Sequence, residues 1–419
     1  MADMTISGVS ISGGFTMTLP PTVPGAPTIG TATATGETTA TVTFTAPASN
    51  GGATITSYTA TSSPGSVTGT LSQAGSGTIT VTGLTPDTNY TFTVTATNSI
   101  GTSSASSVSN QIRTDPPVPV ATTKAIFGYG FNGGQVSMTN LVTNTGVVGN
   151  DVTGVGTARN GLAAATYGGN KAIFGYGYGT GNSSLTNLVS NTGVVGNDVT
   201  GVGTARYGLA AAGYGADKAI FGYGQNDPGS VRWTNLVSNT GVVATDNGFI
   251  GTSRNSLAAA TYGTDKAIFG YGTSTSGPPN YIPTYYSMTN LVSNTGVVSS
   301  DTSGVGTSRA ASAAAGYGTD KAIFGYGYSA SGSTRYSITN LVSNTGVVAT
   351  DTTGVGTARA GLAAAIYGSD KAIFGYGTSN GSNFISITNL VSNTGVVATD
   401  TAGVGTGRIN IAAAGYSLS

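Results

Sequence analysis

From residue 124 onward, apolar and polar positions recur in one fixed order, and the stretch around Lys371 shows it best. An Ala-rich run at 362–367 is followed by Gly368-Ser369-Asp370, then by the apolar run 371–376. After a segment of varying content comes a run at about 386–391, then Ser392-Asn393-Thr394-Gly395 and a short apolar stretch from 396 to about 399. The pattern predicts four short strands, A to D, joined by tight turns, with Gly395 at the turn position that favours positive φ. Successive strand residues point to opposite faces, so Ile373 and Phe374 make strand B apolar on both sides. That suits a sheet sandwiched between neighbours. The consecutive Ala residues of strand A suit a crowded innermost position.

The pattern is a repeat. Lys-Ala-Ile-Phe-Gly-Tyr-Gly begins at Lys124, Lys171, Lys218, Lys266, Lys321 and Lys371, at steps of 47, 47, 48, 55 and 50 residues. Each copy runs on to Thr-Asn-Leu-Val-Ser-Asn-Thr-Gly-Val-Val, with Thr143 replacing Ser in the first. A period near fifty with several short strands fits the blades of a six-bladed β-propeller. Residues 117–123 lack the strand A pattern, while the last copy ends in a spare one, Ile411-Ala412-Ala413-Ala414-Gly415-Tyr416. The spare strand is expected to complete the first blade and close the ring. The domain expectation is an all-β chain: an arm at 1–20, a β-sandwich at 21–115, a linker at 116–123 and the propeller at 124–419.

Composition narrows the chemistry. Charged residues are 7% of the chain, with 15 basic and 15 acidic side chains, and neither Cys nor His is present. Nucleic-acid binding needs clustered cations for phosphates, so that partner is not expected. No apolar run approaches the ~18 residues of a membrane span. The first residues show no basic region followed by an apolar one, so no secretory signal is expected. Disulfides, thiol chemistry, the usual zinc sites and imidazole catalysis are excluded. The 67 Gly residues recur beside Ile, Val, Phe and Tyr, as turn and packing positions do in ordered β-structure.

Two resemblances follow from these residues. The order small-residue strand, apolar strand ending in Gly375-Tyr376-Gly377, polar strand, Thr-Gly turn and Arg resembles the kelch or galactose-oxidase-like propellers. Kelch units carry a Gly-Gly doublet and a Trp where this chain has Gly-Tyr-Gly and Val396 or Val397, and copper chemistry of that family needs His. Residues 21–115 resemble a fibronectin type III domain through Pro24, Pro27, Val42-Thr43-Phe44, Ile55, Tyr58 and the run Gly83 to Tyr90. Phe92, Val94 and Ala96 alternate inward, and Asn98 with Gly101 opens the last hairpin. Phe44 stands where that family usually has Trp. Tyr90 matches the tyrosine of the sandwich corner. Residues 1–20 alternate Met4, Ile6, Val9, Ile11, Phe15, Met17 and Leu19 with small polar residues, as a strand-adding arm would. A β-arm, a sandwich spacer and near-identical propeller repeats together resemble bacteriophage tail fibres, head fibres and capsid decorations.

Candidate sites divide into repeated and variable positions. Arg159, Arg206, Arg254, Arg309, Arg359 and Arg408 each follow an Asp by eight residues: Asp151, Asp198, Asp246, Asp301, Asp351 and Asp400. Sixfold recurrence points to a structural pair ordering each D–A loop. The alternating carboxylates of a calcium loop are absent. Residues 124–419 contain no Glu, and glycoside hydrolysis normally takes two carboxyl groups, so no catalytic residues, metal or cofactor are expected. Length variation falls in the B–C loops, which also hold Tyr178, Arg232, Trp233, Tyr281, Tyr285, Tyr286, Tyr328, Arg335, Tyr336 and Phe384. Aromatic and Arg enrichment on one face marks binding sites, although drift in loops that pack over their own blades produces the same pattern.

The functional expectation is a non-enzymatic virion appendage on the virion surface. Residues 1–20 would dock on other virion proteins, and the B–C face would meet a host-surface glycan or protein; homo-oligomers are compatible with this. A bacterial surface or secreted adhesin is the first alternative and a propeller enzyme the second.

Overall fold

The computed structural model describes residues 20–36, 38–85, 87–114, 122–227, 229–248, 251–275, 283–329 and 334–418. The expected arm, apart from Pro20, and Tyr281 lie outside them, as does linker 116–123 up to Ala121. The chain divides into two compact units between Val120 and Ala121. It is all-β, with no helix among the described residues.

The first unit packs two antiparallel sheets. One holds Thr28–Ala34, Thr39–Thr45 and Gly77–Thr82; the other runs in the order Thr68–Leu71, Ile55–Ser63, Asn89–Asn98, Ile112–Arg113. Strict alternation sends Val42, Phe44, Tyr58, Ile79, Val81, Phe92 and Val94 into one core. The Phe44 and Tyr58 ring centroids lie 4.2 Å apart. Tyr90 is buried, and its hydroxyl accepts the Thr85 N–H at 2.9 Å. Beside the Asn89–Asn98 strand, Ser103, Ser106 and Ser109 each donate their N–H to a strand carbonyl and accept a strand N–H on Oγ. Side-chain oxygens stand in for carbonyls every third residue, so the edge is satisfied without a regular strand there.

The second unit contains six three-stranded antiparallel sheets, numbered here by their middle strands. These are Thr122–Phe131, Lys171–Tyr178, Lys218–Gly222, Lys266–Gly270, Lys321–Gly325 and Lys371–Gly375. In sheets two to six the Ala-rich strand precedes the middle strand, as Ala363–Tyr367 precedes Lys371–Gly375. In the first sheet that place is taken by Ala412–Leu418, with Ala412 opposite Gly128 and Tyr416 opposite Lys124. The same register pairs Ala363 with Gly375 and Tyr367 with Lys371. Thr122 and Thr123 belong to the first middle strand, so sheet structure begins two residues before the expected boundary at 124.

The predicted strand D does not form. Residues 396–401 make two isolated bridges, Val391 with Val397 and Thr388 with Thr401. The cause is Asn389, whose Nδ2 donates to the Ala398 carbonyl and to Asp400 Oδ1, both about where a ladder would continue. The side chain takes the Ala398 carbonyl, while the Ala398, Thr388 and Thr401 N–H groups keep backbone partners, so the segment stays beside the sheet as an irregular, bulged edge instead of a regular strand.

Neighbouring sheets are joined in a cycle. The N–H groups of Gly208, Ser256, Ala311, Gly361, Asn410 and Gly161 donate in turn to the carbonyls of Gly161, Gly208, Ser256, Ala311, Gly361 and Asn410. At the other end of the Ala-rich strands, Gly168, Gly215, Gly263, Gly318, Gly368 and Ser417 each donate to the next sheet, the last to Asn170. Between sheets, the middle-strand Ile and Phe face opposite neighbours: Ile373 packs with the first sheet and Phe374 with the fifth. Phe374 lies over Gly325, where a Cβ would come within 2.8 Å of its ring, and Phe127 lies the same way over Gly375. The fourth position of the Ala-rich strands alternates in bulk: Thr166, Gly213, Thr261, Gly316, Ile366, Gly415. A Cβ on Gly415 would meet Ile366 Cγ2 at 2.7 Å, so the place beside Ile366 has no room for a larger residue.

Candidate functional site

The repeated charges form a buried clamp between sheets. Each middle strand ends in Gly-Tyr-Gly, and Tyr376 takes φ 68° there, a left-handed conformation that turns the chain out of the strand. Its five equivalents lie between 62° and 65°. The buried ring then receives a guanidinium: Arg359 stacks 4.3 Å from the Tyr326 centroid. The same Arg359 bonds to the next sheet, through Nε to the Tyr376 carbonyl at 2.9 Å and Nη2 to Asn389 Oδ1 at 2.7 Å. Asp400 lies 3.9 Å from Nη1 and accepts the Thr357 hydroxyl at 2.6 Å. Arg408 repeats the arrangement across the sixth and first sheets, stacking on Tyr376 and bonding to Tyr129, Asn140 and Asp151.

The expected pairing within one loop is therefore corrected. Arg159 pairs with Asp198, Arg206 with Asp246, Arg309 with Asp351, Arg359 with Asp400 and Arg408 with Asp151, at 3.5–3.9 Å. Each ion pair joins one repeat to the following one. Asp301 accepts bonds from Thr252 and Asn290, and among the described residues it makes no ion pair with Arg254 within 4.0 Å. The eight-residue spacing within a loop reflects two different junctions. Sequence reasoning also missed Asn140, Asn187, Asn235, Asn290, Asn340 and Asn389, although a polar residue recurring inside an apolar strand was a visible signal.

Electrostatics follow from burial. Burial opposes the Asp400 carboxylate, but its bonds from Thr357 and Asn389 and the Arg359 charge together hold its pKa below the usual carboxylate range. The other five clamp carboxylates shift the same way for the same reasons. Burial pushes the Tyr129, Tyr176, Tyr271 and Tyr376 hydroxyls up to about 12, against the opposing pull of the stacked Arg.

The variable residues within the described chain make contacts of their own, and Tyr281 lies outside it. Tyr178 ends a middle strand and meets Tyr207, with ring centroids 5.4 Å apart. Tyr285 meets Tyr328 at 5.8 Å, and Phe384 meets Phe131 at 5.9 Å. Tyr286 shares a 2.9 Å hydroxyl bond with Ser274. The Tyr336 N–H donates to the Gly327 carbonyl, and Arg335 bridges to Tyr328. Trp233 is half-buried and holds the position occupied by Met138, Leu185, Met288, Ile338 and Ile387 in the other repeats. Its ring is thus placed at a packing position of the repeat and keeps part of its surface in solvent. Arg232 is exposed, with Nη1 donating to the Gly251 carbonyl at 3.0 Å. Tyr207 and Phe131, partners of Tyr178 and Phe384, were not among the sequence candidates.

Among the described residues, no three His, Cys, Asp or Glu side chains are grouped so as to hold a metal ion. The chain as a whole has no significant match among curated proteins. Residues 25–112 match the family model described as the Fibronectin type III domain, and they form a domain of that kind.

Proposed function

We propose that residues 124–419 form a six-bladed β-propeller of kelch-like style, closed by the C-terminal strand, and that the chain is a non-enzymatic binding and display protein. The cyclic hydrogen bonding of the six sheets and the pairing of Ala412–Leu418 with Thr122–Phe131 support the architecture. The observation that carries the function is where the chemistry lies. Five of the six repeated Arg–Asp sets are ion-paired between sheets and all six Arg are fully buried, while Tyr, Phe and Arg that differ between repeats gather on the segments after the middle strands. A scaffold that repeats its packing and varies its edge is built to present a surface.

The setting we propose is a virion appendage: a tail fibre, head fibre or capsid decoration. Residues 1–20 would dock on the particle, the fibronectin type III domain would act as spacer, and the variable face would bind a host-surface glycan. Tyr and Trp faces stack on sugars and Arg binds anionic groups. A bacterial surface adhesin is the second reading, and a protein partner on the same face the alternative ligand. Locating the chain in purified particles against cell fractions tests the setting, and a free cytoplasmic monomer would sink both readings. Tyr286→Ala, Tyr336→Ala and Trp233→Ala, one at a time, test the face: at least one should weaken adsorption to host cells by about 2 kcal/mol or more. Unchanged adsorption in all three, with the fold intact, would remove the face from the proposal.

A further inference from the structure

The third repeat departs from the other five in sequence and in bonding, and two of its residues, Arg232 and Asn247, line a cleft. In five repeats a Ser precedes the Thr-Asn-Leu-Val run by two residues, and a Gly lies against it: Ser137 and Gly154, Ser184 and Gly201, Ser287 and Gly304, Ser337 and Gly354, Ser386 and Gly403. The contact is so close that a Cβ on Gly403 would come within 2.2 Å of the Ser386 hydroxyl oxygen, leaving no room for any other residue pair. The third repeat carries Arg232 and Phe249 at these two sequence positions. Its clamp is altered as well. Tyr223 is buried, and its hydroxyl has no partner among the described residues, whereas five equivalents donate to valine carbonyls. Arg254 Nε is buried without a partner among the described residues, a feature shared with Arg309 in the next repeat.

At the junction of the third and fourth sheets lies a cavity of about 210 Å³, walled by Arg232, Leu236, Asn247 and Gly248 and by Val297 and Val298 of the fourth sheet. The matching groove between the sixth and first sheets, about 180 Å³, is lined by Thr, Ala, Gly, Val and Leu alone. The third cleft thus adds a guanidinium and an amide to an apolar wall. Asn247 Oδ1 accepts the Gly248 N–H, and its Nδ2 donates to no group among the described residues. We infer that this cleft binds an anionic sugar, with the carboxylate on Arg232, a ring hydroxyl on Asn247 and the C–H face of the ring on Leu236 and Val298. A planar guanidinium favours carboxylates, and the pocket has the size of one sugar ring rather than of an extended peptide. The inference rests on the glycan reading above and gives it a residue-level site.

The test uses the full chain and methyl β-D-glucuronide, with methyl β-D-glucoside as the neutral control, followed by calorimetry or chemical-shift titration. The glucuronide should bind in preference to the glucoside and weaken as salt rises. The double variant Arg232→Ser, Phe249→Gly restores the pair that five sibling repeats already fold with, and should lose affinity about tenfold. Arg232→Lys should keep part of it, having the charge without the planar fork. Equal binding of the two sugars, unchanged binding in the double variant, or an acidic peptide bound in place of the glucuronide would overturn the inference. Host adsorption that persists in the double variant while glucuronide binding is unchanged by it also overturns this site and leaves the display reading standing. Glucuronide binding that depends on Arg232 in a chain that adsorbs to no host supports the cleft and removes the display reading.

Discussion

The two units solve the same problem in opposite ways. The fibronectin type III domain buries one apolar cluster between two sheets, and its one ion pair among the described residues, Arg113 with Asp87, sits on the surface at 2.9 Å. The repeat unit buries six guanidiniums with no exposed area. In the sandwich each sheet has one apolar face, so two sheets suffice to close a core. In the repeats each middle strand is apolar on both faces, so every sheet needs two neighbours and the array has no self-sufficient part. Burying charge is tolerated there because each Arg has a stacked ring, a carbonyl, an Asn and, at five of six junctions, an Asp within 4 Å. The difference teaches that the repeat unit should be cooperative and sensitive at its junctions, and the sandwich tolerant at its surface.

The sharpest way to break this contrast is to remove residues 411–419. The first sheet then loses the strand opposite Gly128 to Lys124, and the exposed edge should aggregate. The cooperative melting transition of the repeat unit should vanish while that of residues 25–112 survives. A truncated chain that stays monomeric with both transitions intact would show that the C-terminal strand does not close the array. Next in size is Arg359→Met, which leaves Asp400, Asn389 and the Tyr376 carbonyl without their partner. Chemical denaturation should show a loss of about 3–5 kcal/mol. Arg113→Met in the sandwich should cost at most about 1 kcal/mol, because its partner is solvated.

A smaller effect distinguishes the two units by glycine. Gly325→Ala would bring a Cβ within 2.8 Å of the Phe374 ring and should cost about 1–3 kcal/mol. Gly75→Ala in the sandwich meets nothing within 4 Å and should change the melting temperature hardly at all. Acid gives the smallest effect per group. The clamp carboxylates have folded pKa values below the unfolded one, so their contribution is present above about pH 4 and is lost as pH falls through the lower folded values. At the alkaline end the raised Tyr hydroxyls contribute stability below about pH 10, lost between there and the folded value of about 12. Melting followed against pH should show both limits in the repeat unit. A repeat unit whose melting temperature stays flat from pH 6 to pH 3 would remove the carboxylates from the clamp.

Strands A, B and C were legible because their signal is local. Ile373 and Phe374 point apart by the geometry of any strand, and the Gly-Tyr-Gly and Asn-Thr-Gly turns carry their own backbone preference. The sandwich was legible through Val42, Phe44, Tyr58 and Tyr90 for the same reason. The irregularity of strand D was not, because Asn389 takes one of its carbonyls from nine residues away and the pairing is bulged, and nothing in the pattern of Val396-Val397 records that. The candidate binding residues were identified by type but not by situation: Trp233 reads as a loop aromatic until its register with Met138 and Ile387 is seen.

By itself the sequence determined the repeat, its strand periods, the sandwich and the absence of thiol and imidazole chemistry, since each is a property of residue type and spacing along one chain. The tertiary structure decided which Asp meets which Arg. Asp351 and Arg359 are eight residues apart and belong to different junctions, while Arg408 and Asp151 meet across the whole repeat array. Periodicity states that six Arg and six Asp are equivalent, but not whether each pair closes on itself or on its neighbour. That choice is set by where a buried guanidinium finds a ring, a carbonyl, an amide and a carboxylate together, and here those groups come together only between two sheets.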